Sequence, residues 1–135
     1  MKIKIFYEPI YNTHLLLLYE CNYIEAEHYF SKNKIRTDLI KCSGQTGTYR
    51  VEKPDGSSQK RYYIYIEKTD KGWIEDISTI LHEISHLVFM SLFDCGIEIN
   101  PKTDETFSYY FEWWFKTLIN SLTPKKRAKR KKRRN

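Results

Sequence analysis

The chain has 135 residues and a formal net charge of +6, and 16% of its residues are aromatic. This composition excludes a disordered protein, and the length suits one domain with a real core. The longest apolar run, residues 15–19, is too short to span a membrane, and no targeting segment with an apolar core is visible. Cys21, Cys42 and Cys95 have no metal-like spacing, which indicates free thiols in a reducing, cytoplasmic compartment.

The first half of the chain predicts four strands and a short helix. Residues 2–7 alternate between apolar and polar side chains, and residues 14–20 resemble a buried strand. Asn22 is the predicted N-cap of the helix that follows. Two further strands, residues 47–52 and 61–67, are separated by a connection rich in Pro, Asp, Gly and Ser, which predicts a hairpin.

The most informative motif is His82-Glu83-Ile84-Ser85-His86, an HExxH. Two histidines four residues apart on a helix are separated by about 400° of rotation and about 6 Å of rise, so both imidazoles can bind one metal ion. Glu83 lies next to that face, where its carboxylate can take a proton from water that the metal activates. The spacing therefore predicts two ligands and a general base, as in a zinc-dependent hydrolase.

The residues around the motif predict an amphipathic helix. Asp76 or Ser78 is the candidate N-cap, and Gly96 suits the C-terminal cap. The alternative interpretation of the motif is a solvated pair of histidines on a helix surface. Apolar residues continue at helical spacing on the side away from the histidines: Ile77, Ile80, Leu81, Ile84, Leu87, Val88 and Leu92.

A zinc site that stays open to water needs a third protein ligand. A second helix is predicted after Pro101, with Thr103 as its N-cap and acidic residues in its first turn. Asp104 and Glu105 are both possible ligands, or simply a first-turn charge preference, and we favour Glu105. Tyr109, one turn further, could donate a hydrogen bond to the oxyanion of a tetrahedral intermediate, or it could be core packing.

The HExxH helix and the helix that follows it resemble those of known protein families. A helix with His82-Glu83-x-x-His86, followed 19 residues later by a glutamate on a second helix, resembles the gluzincin class of zinc metallopeptidases, and the small size resembles the minigluzincins. The chain also resembles small HExxH proteins of tailed bacteriophages, which have an "ST-L-HE-x-x-H" helix, a "GI" connection and a "DE-x-x-x-Y" helix start. The matching residues are Ser78-Thr79, Leu81, His82-Glu83, His86, Gly96-Ile97, Asp104-Glu105 and Tyr109.

The resemblance implies one Zn²⁺ ion on His82, His86 and Glu105, with Glu83 as the base. With the predicted elements it indicates an α+β fold, a small zincin-like domain in which an antiparallel or mixed sheet packs on the HExxH helix and on the helix of the third ligand. Such metallopeptidases place a sheet edge over the metal. Residues 61–67 are the expected edge, to which an extended peptide could add, or else an ordinary core or edge strand without a ligand.

The C-terminal segment separates from the rest of the chain by its charge. Lys125–Arg134 holds nine of the 23 basic residues and no acid, so the remaining residues carry 14 positive and 17 negative side chains. We therefore predict a zincin-like metal-binding domain at residues 1–123 and a disordered basic tail at residues 124–135. Non-specific nucleic acid is the expected partner of the tail. Solubilisation, or docking on an acidic protein surface, is the alternative.

Two hypotheses of function follow. The first is a zinc metallopeptidase that hydrolyses a peptide bond of a protein substrate or assembly partner. The second is a non-catalytic, zinc-stabilised phage assembly or virion protein whose basic tail contacts nucleic acid. The expected location is the bacterial cytoplasm or the virion, without membrane contact. The oligomeric state stays open, because the aromatic helix from Phe107 to Leu122 can be core or interface.

Overall fold

The computed structural model describes residues 1–70 and 73–123, without the side chains of residues 73 and 74. The predicted basic tail at residues 124–135 lies outside the described residues. Within these ranges none of the helices is long and apolar enough to cross a membrane. The elements in chain order are β1 (Lys2–Glu8), β2 (Thr13–Cys21), α1 (Tyr23–Lys32), β3 (Gly44–Glu52), β4 (Ser58–Glu67), α2 (Trp73–Asp94) and α3 (Asp104–Leu122).

The strands form one mixed sheet in the order β1-β2-β4-β3. The hairpins β1–β2 and β3–β4 are antiparallel, and β2 pairs with β4 in parallel from Leu15↔Tyr62 to Leu18↔Tyr65. The predicted α+β class with a mixed sheet is therefore confirmed. The prediction that residues 61–67 form a sheet edge is wrong, because β4 has a paired strand on each side. It is a core strand, and β1 and β3 are the edge strands.

Both faces of the sheet are buried at the central strands β2 and β4, which explains the unbroken run of leucines in β2. Leu16 and Leu18 face α1, whereas Leu15 and Leu17 face α2 and α3, as the two-residue period of a strand requires. The helices contribute Ala26 and Phe30 to the first face, and Ile80, Ile84, Leu87, Val88, Leu92, Tyr110, Trp114 and Leu118 to the second.

The N-cap prediction for α1 is confirmed. The Asn22 side chain accepts a hydrogen bond from the Glu25 backbone N–H at 2.9 Å, and the Glu25 carboxylate accepts one from the Asn22 N–H at 2.9 Å. This capping box satisfies two donors that a helix otherwise leaves without partners. It fixes the point at which the chain leaves β2 and turns over the sheet.

The helix with the HExxH motif begins earlier than the sequence predicts. It starts at Trp73, so Asp76 and Ser78 lie inside it and the prediction that either is the N-cap is wrong. Asp76 instead accepts a hydrogen bond from the Thr69 hydroxyl at 3.1 Å. Because Asp76 lies in the first turn, the positive end of the helix dipole still stabilises its negative charge.

The predicted C-terminal cap of α2 is confirmed at Gly96. Its φ of 75° is left-handed, a conformation that glycine adopts without steric cost. The Ile97 N–H donates to the Leu92 carbonyl at 2.9 Å, and the Gly96 N–H donates to the Phe93 carbonyl at 2.9 Å. These two bonds form a Schellman motif, which ends the helix and turns the chain towards α3.

Helix α3 packs Tyr110, Trp114 and Leu118 against the sheet. Its predicted start is confirmed with Thr103 at the N-cap position, but the Thr103 side chain makes no capping hydrogen bond. The Thr103 hydroxyl donates to the Glu98 carbonyl instead. The connection between α2 and α3 is thereby fixed by a side chain that would otherwise cap the helix.

Candidate metal centre

His82 and His86 project from the exposed face of α2. Their Nε2 atoms are 3.1 Å apart, and their ring planes are inclined at 81°. Two nitrogen ligands of a tetrahedral zinc ion, each about 2.0–2.1 Å from the metal, are about 3.3 Å from one another. The two imidazoles therefore converge with a spacing that fits two ligands of a single zinc ion.

Glu83 points towards strand β3 and is only 4% exposed. The Thr46 hydroxyl lies 2.7 Å from Glu83 Oε2 and 2.8 Å from the Glu83 backbone carbonyl, so its single proton serves one acceptor at a time. Glu83 Oε1 accepts no hydrogen bond from the part of the chain that the structure describes. The carboxylate is thus held through one oxygen, while the other oxygen is uncommitted and lies next to Gly44 of β3.

The start of β3 and the middle of α2 border a cleft of about 310 Å³. Gly44 permits this close approach, since a Cβ atom there would lie 2.7 Å from Thr79 Cγ2 and 3.1 Å from Glu83 Oε1. Because β3 is an edge strand, one of its sides has no neighbouring strand among the residues that the structure describes. The cleft is lined by Ser43, Gly44, Ser78, Thr79, His82 and Glu83.

The Cys42 thiol stabilises the turn that leads into this edge strand. Its Sγ donates a hydrogen bond to the Gly44 carbonyl at 3.0 Å. Partial burial raises the pKa of Cys42, and the negative charges of Glu83 and Glu67 raise it as well. The raised pKa keeps the group a neutral thiol, which is the form that can donate to Gly44.

The predicted third ligand is not brought to the histidine pair. Within residues 1–70 and 73–123, no group of three His, Cys, Asp or Glu side chains is arranged to hold a metal ion. Glu105 is exposed in the first turn of α3, and its backbone N–H donates to Asp104 Oδ1 at 2.8 Å. The assignment of Glu105, or of Asp104, as third ligand stays a prediction.

Tyr109 is 68% exposed and lines a different cavity. We call it the Glu8 cavity and define it by Glu8, Tyr11, Tyr109, Tyr110 and Trp113. Neither histidine of the HExxH motif belongs to its lining. The role of Tyr109 as an oxyanion donor also stays a prediction.

The sequence prediction missed the residues of β3 that contact Glu83. It began the strand at Gly47, whereas the strand begins at Gly44 and includes Thr46. The alternation of Thr46 with Thr48 is the signal that extends the strand towards its true start, since β-branched residues favour strands. That Thr46 reaches Glu83 depends on packing between distant elements, which no local pattern contains.

None of the known protein families, curated proteins or solved structures with which we compared the chain matches it.

Proposed function

We propose that the protein is a zinc-dependent metallopeptidase with its site at His82, Glu83 and His86. The observation that carries the proposal is the convergence of two imidazole nitrogens on a helix whose buried carboxylate, Glu83, has one uncommitted oxygen and lines the same cleft as His82. A solvated pair of histidines would need neither the burial of Glu83 nor the glycine that lets β3 approach it. Both features support a catalytic site.

The donor set suits zinc, because neutral imidazole nitrogen is among the ligands that zinc prefers. His82 and His86 would hold the ion, with a third ligand from the first turn of α3, either Glu105 or Asp104. Bound zinc lowers the pKa of a water molecule towards about 7 and polarises a carbonyl group.

Glu83 is the general base of the proposed reaction. Its free oxygen, Oε1, accepts the proton of the attacking water and passes it to the leaving amine, as general acid–base catalysis of amide hydrolysis requires. The Thr46 hydroxyl holds Oε2, which fixes the direction of Oε1. Strand β3 therefore positions the base, and α2 positions the ligands.

An extended peptide is the substrate that this arrangement favours. The unpaired side of β3 can form backbone hydrogen bonds with another strand, which would bring a peptide to the cleft beside the histidine pair. Backbone pairing of this kind recognises main chain and leaves the choice of side chain to the cleft.

Elemental metal analysis of the purified full-length chain tests the proposal. We expect about one zinc per wild-type chain and loss of zinc in His86→Ala. Glu83→Gln should retain zinc, because Glu83 is proposed as a base and not as a ligand. Loss of zinc in Glu105→Gln but not in Asp104→Asn assigns the third ligand, and the reverse result assigns it to Asp104. A wild-type chain that takes up no zinc overturns the proposal.

The next measurement is digestion of a peptide library by wild type and by Glu83→Gln. We expect cleavage products only with wild type at equal zinc content. A protein that binds zinc through His82 and His86 but cleaves no peptide would instead be the non-catalytic zinc-stabilised module.

The charge of the C-terminal segment supports a second, separable proposal, that residues 125–134 bind nucleic acid. Nine cations can neutralise up to nine phosphates, so affinity should fall steeply as salt rises. A gel shift with the full chain and with a chain that ends at residue 123 tests this proposal. Equal shifts by both chains would contradict it.

A further inference from the structure

The Glu8 cavity has a volume of about 370 Å³ and opens where the turn after β1 meets α3. This volume is near the lower end of the range for ligand pockets, about 300–1,000 Å³. Strands β1 and β3 are opposite edges of the sheet, so the cavity is separate from the cleft at the histidine pair. Its occupant would not need the proposed zinc site.

Glu8 is a buried carboxylate, 2% exposed, in the wall of this cavity. Its Oε1 accepts a hydrogen bond from the Ile10 N–H at 2.6 Å, and its Oε2 accepts from the Tyr11 N–H and the Tyr110 hydroxyl, each at 3.1 Å. All three donors are neutral. No Lys, Arg or His in the described ranges forms an ion pair with Glu8, although buried charges are usually paired.

Aromatic rings form most of the remaining wall. Tyr11 and Tyr110 have ring centroids 4.8 Å apart and planes inclined at 71°, so they form a corner. Trp113, 41% exposed, and the more exposed Tyr109 line the side towards solvent. The faces of Tyr and Trp rings carry negative potential and attract a cation within about 6 Å of the ring centroid.

We propose that the Glu8 cavity binds an alkylammonium group, the chemistry shared by a free quaternary amine and a lysine side chain. The Glu8 charge and the ring faces both favour a cation, and both disfavour an anion. A neutral apolar ligand would contact the rings but would gain nothing from the carboxylate. The methyl or methylene groups of an alkylammonium match the apolar walls, and its positive charge matches Glu8 and the ring faces.

Titration of the ¹⁵N-labelled full-length chain, followed by backbone amide chemical shifts, tests this proposal. The probes are choline, its neutral isostere 3,3-dimethyl-1-butanol, and Nα-acetyl-lysine amide. We expect choline or the lysine derivative to bind at least about tenfold more tightly than the alcohol, with shifts around Tyr11 and Trp113. Tighter binding of choline indicates a free amine, and tighter binding of the lysine derivative indicates a peptide side chain. Equal binding of cation and alcohol overturns the proposal.

Variants of Trp113 locate the binding. Trp113→Ala should lower the affinity for the cation about tenfold, whereas Trp113→Phe keeps an aromatic face and should keep most of the affinity. Phe93→Ala is the matched control, because Phe93 is an aromatic residue 76% exposed on α2 and outside the cavity. Equal affinity in Trp113→Ala and wild type contradicts the proposal. Zinc content is measured on the same samples, so failure here is distinguishable from failure of the proposed metallopeptidase.

Discussion

Glu8 and Glu83 are two buried carboxylates at opposite edges of one sheet, and their surroundings differ in kind. Glu8 accepts hydrogen bonds at both oxygens, from two backbone N–H groups and a tyrosine hydroxyl. Glu83 accepts one from Thr46 and has an oxygen without a partner among the described residues. The hydrogen bonds of Glu8 stabilise the turn after β1 and hold both of its carboxylate oxygens in place. The arrangement at Glu83 leaves one carboxylate oxygen that can exchange a proton.

The comparison teaches that burial alone does not distinguish a structural acid from a reactive one. The number of donors at each oxygen and the neighbours of the uncommitted oxygen make the distinction. For Glu83 the uncommitted oxygen lies next to Gly44, in a cleft that His82 also lines. Substitutions of the two acids should therefore separate activity from stability.

The largest expected effect is on turnover. Glu83→Gln should lower the rate of peptide hydrolysis by about 10²- to 10⁴-fold, because the amide cannot act as a general base. Initial rates on a cleaved library peptide, at equal zinc content, measure this loss. Glu8→Gln is the matched control, and a comparable loss of rate in that variant at full folding would remove the distinction between the two acids.

The second effect is on stability, where we expect Glu8→Gln to have the larger effect and Glu83→Gln the smaller one. Glu8→Gln should lower the free energy of unfolding by about 2 kcal/mol, because the amide N–H₂ group faces donors and leaves at least one without an acceptor. Glu83→Gln should cost less than about 1 kcal/mol, since the Thr46 hydroxyl can still donate to the amide oxygen. Urea unfolding followed by circular dichroism gives both values. Equal costs would show that Glu83 is as structural as Glu8.

Gly44 provides a test of the cleft beside Glu83. Gly44→Ala should lower turnover about tenfold, because the new methyl group would lie 2.7 Å from Thr79 Cγ2 and 3.1 Å from Glu83 Oε1, so that these side chains must shift. Thr79→Ser removes the methyl group that it meets, so the double variant should recover activity. Gly47→Ala, with a Cβ 2.5 Å from the buried Tyr63 ring, should instead lower stability by about 1–3 kcal/mol. A double variant as slow as Gly44→Ala would contradict this account of the cleft.

The smallest effect concerns the support of the base. Thr46→Val removes the hydroxyl that holds Glu83 Oε2 and should lower turnover a few-fold and stability by about 1 kcal/mol. Thr46→Ser keeps the hydroxyl and should retain most of the rate. Steady-state rates and unfolding midpoints of the two variants check this prediction, which fails if Thr46→Ser is slower than Thr46→Val.

The sequence predicts local structure well because local structure depends on neighbours. The apolar alternation of β1, the Asn22 cap and the Gly96 cap all concern contacts within a few residues, and the structure has each of them. Three of the predicted site residues, His82, Glu83 and His86, come together for the same reason, since one helix holds them.

What the sequence could not predict depends on pairing between distant segments. The parallel pairing of β2 with β4 puts β4 inside the sheet and leaves β3 at the edge. The hydrogen bond between Thr46 and Glu83, and the burial of Glu8 under Tyr110, likewise depend on tertiary packing. A ligand in a second helix is the same type of prediction, and it is the part of the site that the structure does not assemble.

The contacts at the two edges of the sheet also differ in the length of chain that separates the contacting residues. The Thr46–Glu83 contact closes a segment of 37 residues, whereas the Tyr110–Glu8 contact closes one of 102. The longer closure costs only about 0.9 kcal/mol more in chain entropy, but it requires the whole chain to be available. On a ribosome, the hairpin β3–β4 and helix α2 can join before α3 has emerged, whereas the Glu8 cavity must await α3. The contact that positions the proposed base would then form in the nascent chain before either the proposed third zinc ligand of α3 or the alkylammonium site is available.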